Sequence, residues 1–184
     1  MLKENEYLVI DNFLPENSMN VWDGIINGGG FPLFYAPNLM HVNTSNDDYF
    51  LHILYEDAFP QSQAFNSWID IFRIKGGIKM NALADIKILW YPKTTKIYEY
   101  ETFSTTKGVV DNLIYFSDNN DGYIKLPDDT KIESIQNRLV LFKGNPTNVQ
   151  HTTHTNGDLW LRCVTHIQCY LNEIPERQEK LAVY

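Results

Sequence analysis

Three of the five histidines and one arginine carry most of the chemistry this chain could perform. His151 and His154 bracket Thr152-Thr153, His166 follows, and Arg162 stands eleven residues after His151. Neutral imidazole binds metals and moves protons, and a guanidinium grips a carboxylate through two parallel hydrogen bonds. If Arg162 lies on a strand and faces inward, so do Trp160, Val164, His166 and Gln168. Leu161, Cys163, Ile167 and Cys169 then face outward. Such a strand suits a barrel with a polar lumen and helices covering its outside.

Two other groups resemble sites less well. Ser117-Asp118-Asn119-Asn120-Asp121-Gly122 looks like a calcium loop, but it starts with Ser, lacks the final bidentate Glu and is flanked by strands. A hairpin turn fits it better, with Asp121-Gly122 taking positive φ angles. Cys163 and Cys169 lie six residues apart on one strand, too far to bridge, which makes them buried free thiols in a reducing compartment.

The elements that must position these groups follow from periodicity. Tyr7-Leu8-Val9-Ile10 reads as a strand. A helix starts at Pro15, buries Met19, Trp22, Ile25 and Ile26, and stops at Gly28-Gly29-Gly30. Phe65, Trp68, Ile69 and Phe72 mark a second helix from Gln61 to Ile74, its aromatic stripe turned to the core. Phe31 to Asp57 shows mixed signals and no definite element. Strands are expected at Lys79–Trp90, Ile97–Thr105, Val109–Ser117, Tyr123–Leu126, Arg138–Phe142 and Leu159–Tyr170. Two helices followed by many short strands predict one α+β domain over 1–184. Its helical part spans about 1–77, its β core about 78–172, and a polar tail 173–184.

Composition narrows the functional classes. The 184 residues are 43% hydrophobic, 14% aromatic and 21% charged, which describes a globular chain with one sizeable core. A formal net charge of −8, with no basic block, argues against nucleic-acid and anionic-membrane surfaces. The first residues hold no apolar signal core, and no stretch is long enough to span a bilayer.

The C-terminal two-thirds resembles the 2-oxoglutarate/iron(II)-dependent oxygenases, most closely the small cyanophage-like versions of marine tailed phages. The resemblance rests on Phe72-Arg73-Ile74-Lys75, Lys79-Met80-Asn81-Ala82-Leu83, Ile114-Tyr115-Phe116 and Asn120-Asp121-Gly122-Tyr123. It continues through Asp129 to Phe142, which ends in Asn137-Arg138-Leu139-Val140-Leu141-Phe142, and on to His151, Thr153, Thr155, Asn156 and Arg162. Upstream, Phe31-Pro32-Leu33-Phe34-Tyr35 and Phe50 to Tyr55 also look like the phage subgroup. It implies a double-stranded β-helix (jelly-roll, cupin-like) with N-terminal helices packed on the outside.

In that family two histidines and one carboxylate hold iron(II), and a basic residue near the end grips 2-oxoglutarate. The resemblance makes His151 the second histidine and Arg162 the co-substrate arginine. Counting back without gaps from Asp121-Gly122-Tyr123 puts the family's His-x-Asp on Phe103-Ser104-Thr105. Phe103 offers no ligand atom and Thr105 no charge, so the metal site is degenerate. Glu101 shares strand parity with 103 and 105, so Glu99 or Glu101 could join His151 and His154 at a rebuilt site.

The expectation is therefore a pseudoenzyme without cofactor, serving a structural or protein-binding role as a virion or assembly component in the host cytoplasm. Its partners would be other phage proteins or further copies of itself. The aromatic segments Phe31 to Tyr35, Tyr49-Phe50 and Trp90-Tyr91 would supply contact surfaces. The rival is an active dioxygenase using iron(II) and 2-oxoglutarate with an atypical ligand set.

Overall fold

The computed structural model describes residues 2–36, 49–102, 104–158 and 160–175. Strand β1 (Tyr7–Ile10) leads to helix α1 (Glu16–Ile26). Pro15, with φ −54° and ψ 141°, sets the entry to α1, and Trp22 and Ile26 are buried beneath it. Asn137, at φ 62°, clamps the approach to α1 from across the chain. Its Oδ1 accepts from Leu14 N at 2.7 Å and its Nδ2 donates to Leu14 O at 2.9 Å.

Strands β2 (Phe34–Ala36), β3 (Tyr49–Glu56) and β4 (Phe59–Pro60) precede helix α2 (Ala64–Trp68), which continues as a π-helical segment over Ile69–Lys75. Phe65, Trp68 and Phe72 stack in series at 6.0 and 5.9 Å, and Trp22 meets Phe72 edge-on at 5.0 Å. The two expected helices are thus present, locked together by aromatic rings that each stabilise the fold by about 1.5–3 kcal/mol when fully buried.

The β core comprises β5 (Met80–Pro92), β6 (Glu99–Glu101), β7 (Val110–Phe116), β8 (Tyr123–Lys125), β9 (Lys131–Glu133), β10 (Arg138–Gly144), β11 (Gln150–Thr152) and β12 (Leu161–Leu171). Among the described residues they form two sheets. The larger runs β1-β10-β7-β12-β5-β3-β2, with β4 on β3, and the smaller runs β6-β11-β8-β9. Every strand pair within them is antiparallel.

One core lies between the larger sheet and the helices and holds Cys163, Ile167, Cys169, Ile86, Ile88 and the aromatic stack. A second core lies between the sheets and holds Leu89, Tyr91, Val164, Phe116, Tyr100, Ile124 and Val149. Strand β12 separates the two cores. Arg162, Val164, His166 and Gln168 belong to the inter-sheet face, opposite Tyr91, Leu89, Lys87 and Asp85 of β5. The expected alternation holds along β12, and both cysteines are buried free thiols on the helix side. Trp160 departs from it: it precedes the strand and is 82% exposed.

Three expectations need correction. Strand β3 lies in the stretch left without an element. It pairs with β5 in mid-sheet, and covering on both faces erases the alternation that would reveal it. Tyr49, Trp90 and Tyr91 are core residues rather than contact loops, whereas Phe34 and Tyr35 are exposed. Gly122 does not take a positive φ, and neither does Asp121; the hairpin of β8 and β9 turns through Asp129 at φ 66°. Glycine is needed at 122 because a Cβ there would lie 2.6 Å from Arg162 Cδ and 2.8 Å from its Nε.

Candidate functional site

Arg162 enters the lumen as the second residue of β12 and is fully buried. Its guanidinium carbon lies 5.6 Å from the Tyr91 ring and 5.2 Å from the Phe116 ring. Nη1 donates to Thr152 O at 3.2 Å. Nε and Nη2 meet no hydrogen-bond partner among the described residues. Burial pulls the group down to about 10, so it stays a cation at neutral pH. Asp118, on the loop from β7 to β8, attracts it through space, and burial raises that carboxyl to about 6.

His151 follows on β11. Its ring stacks on Tyr91 at 5.5 Å and 12°, and its Cα partners Tyr100 across the smaller sheet. His166 stands 5.6 Å from it, ring to ring. Neither nitrogen of His151 meets a hydrogen-bond partner among the described residues. Burial, then His166 and Arg162, hold it well below the ordinary imidazole range, so it is neutral. His154 is buried too, with Arg162, Asp121 and Lys93 among its electrostatic neighbours.

Beyond His166 the lumen holds a polar cluster that the residue pattern did not single out. Lys87 Nζ lies 2.6 Å from Asp85 Oδ2 and 3.3 Å from Glu56 Oε1, with Lys87 and Asp85 both buried. Asn112 Oδ1 faces His166 Nε2 at 3.3 Å, and Ser104 Oγ donates to Gln168 Oε1 at 2.8 Å. The available signal was Asp85-Ile86-Lys87, opposite charges two apart inside an apolar strand, hence on one face.

The glutamates lie elsewhere. The expected parity of β6 is inverted: Tyr100 and Thr102 are buried, and Glu99, Glu101 and Thr105 are exposed. Glu99 accepts from Tyr123 Oη at 2.7 Å and pairs with Lys125 and Lys131 on the outer face of the smaller sheet. Thr105 Oγ1 donates to Glu56 Oε1 at 3.3 Å rather than facing His151. Phe103 lies outside the described residues. The reconstructed site from Glu99 or Glu101 with His151 and His154 therefore does not assemble.

This donor set does not fit iron held by two histidines and a carboxylate. His151 presents unsatisfied nitrogens, yet Tyr91 and Tyr100 stand against and opposite it, and Lys87 holds Asp85. Among the described residues no three His, Cys, Asp or Glu side chains converge as a metal-binding group. Arg162 remains a fully buried cation with two nitrogens unbonded among the described residues, a group that pairs well with a carboxylate.

Comparison with solved structures bears on the fold. A prolyl hydroxylase from Trichoplax adhaerens, solved with a hypoxia-inducible-factor peptide, superposes with a TM-score of 0.57 at 15% identity, covering 90% of this chain and 84% of its own. A Pseudomonas putida prolyl-4-hydroxylase gives 0.56 at 14%, covering 90% and 93%. HygX from Streptomyces hygroscopicus, solved with nickel and 2-oxoglutarate, gives 0.55 at 11%, covering 95% and 86%. The fold is the double-stranded β-helix of the 2-oxoglutarate oxygenases. No protein-family model matches the chain, and no curated protein matches it in sequence. Within the oxygenase fold, β6 and β11 are neighbouring strands, with Tyr100 opposite His151. Among the described residues no helix is long and apolar enough to cross a membrane.

Proposed function

We propose that this is a non-catalytic protein of the oxygenase fold, a binding module whose lumen takes a small carboxylate at Arg162. The observation that carries this reading is the contrast at the site itself. Among the described residues a fully buried guanidinium keeps two nitrogens without hydrogen bonds, while His151 has His166 beside it but no group of three His, Cys, Asp or Glu side chains converges there as iron chemistry needs. A buried donor left unmade costs roughly 1–3 kcal/mol, and a ligand carboxylate would recover it. The 2-oxoglutarate bound by HygX makes that dicarboxylate the natural probe.

The module's role is structural or protein-binding. On the sequence resemblance its partners are other phage proteins of the particle or its assembly, and the exposed Phe34, Tyr35 and Phe59 are the side chains to meet them.

The test combines ligand linkage with turnover. Thermal unfolding of the purified protein should shift upward with 2-oxoglutarate, by about 2.7 kcal/mol at a ligand concentration a hundredfold above Kd. Arg162→Lys should lose most of that shift. With iron(II) and 2-oxoglutarate added, no succinate should accumulate. Stoichiometric iron in the purified protein, with succinate formed, would overturn the non-catalytic reading; an unshifted wild type would overturn the carboxylate site.

A further inference from the structure

An irregularity in strand β3 decides where Glu56 points. Ile53 stands opposite Lys87 of β5, but Tyr55 then stands opposite Ile86, so three residues of β3 span two of β5. Cross-strand partners share a sheet face, and an extra residue reverses the alternation beyond it. Ile53 packs in the core between the sheets, Leu54 and Tyr55 both pack on the helix side, and Glu56 returns to the inter-sheet face. Without that bulge Glu56 would turn toward the helices. Asp85 and Lys87, two apart on β5, already share the inter-sheet face.

The three side chains meet there. Lys87 Nζ lies 2.6 Å from Asp85 Oδ2 and 3.3 Å from Glu56 Oε1. The Lys87 and Asp85 side chains are 3% and 2% exposed, whereas Glu56 is 22% exposed and reaches solvent. Thr105 Oγ1 donates to the same Glu56 oxygen at 3.3 Å and steadies it. Burial raises the Asp85 carboxyl against the pull of Lys87. In such a setting, passing a proton from the ammonium to the carboxylate removes two buried charges. The product is a neutral amine held against a carboxylic acid, the reactant pair of amide formation, with fixed contact in place of encounter.

We propose that Lys87 and Asp85 are the site of a self-catalysed isopeptide cross-link, with Glu56 moving the protons. Lys87 Nζ attacks Asp85 Cγ, a C–N bond forms, and one C–O bond of the carboxyl breaks. Glu56 takes a proton from the nitrogen and delivers one to the departing oxygen, which leaves as water. One ammonium and one carboxylate become one amide and one water, and nothing is oxidised or reduced. The cross-link is independent of any ligand at Arg162.

Mass spectrometry of the folded protein, followed by digestion under denaturing conditions, tests the bond. The intact wild-type chain should be lighter by one water. Trypsin should fail to cut after Lys87, because an acylated lysine has lost the charge that the protease reads. Asp85→Asn should form the same bond and be lighter by ammonia instead. Glu56→Gln should keep its full mass and be cut normally after Lys87. A wild type of full mass that is cut after Lys87 would overturn the cross-link, and so would a lost water with that cleavage intact, which places the loss elsewhere. A bond formed equally fast in Glu56→Gln would overturn the role of Glu56.

Discussion

Lys87 and Arg162 are two buried cations on neighbouring strands of one lumen, and they are treated in opposite ways. Lys87 is closed within the chain by Asp85 at 2.6 Å and Glu56 at 3.3 Å. Among the described residues Arg162 has one hydrogen bond and two aromatic faces, and its Nε and Nη2 meet no partner. A charge that the chain neutralises is part of the fold, and removing one partner strands the other. A charge left partly unanswered is a place for something else to bind. On the proposed reading that contrast, more than burial alone, distinguishes scaffold from site in this lumen.

The largest expected effect tests the closed end. Lys87→Met leaves Asp85 buried without its cation and should cost about 3–5 kcal/mol in denaturant unfolding. Adding Asp85→Leu should restore most of that loss, because an apolar pair of similar volume removes both desolvation penalties. If Lys87→Met alone is neutral, the two ends are not different in kind.

Arg162→Met tests the open end and should cost only about 1 kcal/mol, since little bonding is lost and Asp118 can take a proton. A loss as large as that of Lys87→Met would erase the contrast. The same variant should show no shift with 2-oxoglutarate.

A pH-dependent effect, small per pH unit, lies between the ends. Burial, then Lys87, holds His166 at about 3, against 6.5 for a free imidazole. The unfolded chain therefore binds a proton that the folded one refuses, and this contribution to stability is lost as pH falls from 6.5 toward 3. The slope from this one group is at most about 1.4 kcal/mol per pH unit. His166→Gln should flatten it in denaturant midpoints measured against pH. Asp118 works in the reverse direction: its raised titration removes stability as pH rises from 3.8 through about 6.

How much of this was legible in the residues varies by element. The alternation of β12 announced Arg162, Val164, His166 and Gln168 as one face, because both faces of that strand are chemically distinct. The helix stripes at Trp22 and Trp68 were legible for the same reason. Strand β3 was not, since apolar neighbours on both sides leave no pattern. The face of β6 was misjudged because three paired residues are too few to fix parity by counting from a distant motif. One residue of slip turned Glu101 outward and Tyr100 inward.

What the amino-acid sequence settled alone is the alternating chemistry of the long strands, the two amphipathic helical segments and the unbridgeable cysteines, all of them local consequences of periodicity and reach. What only the tertiary structure decided is which charges meet. Asp85, Lys87 and Glu56 come together from β5 and β3, and Gly122 closes on Arg162 from a loop forty residues earlier. Charge pairing acts over a few ångströms in space and leaves no period along the chain, so the difference between an answered cation and an open one appears only once the strands are laid side by side.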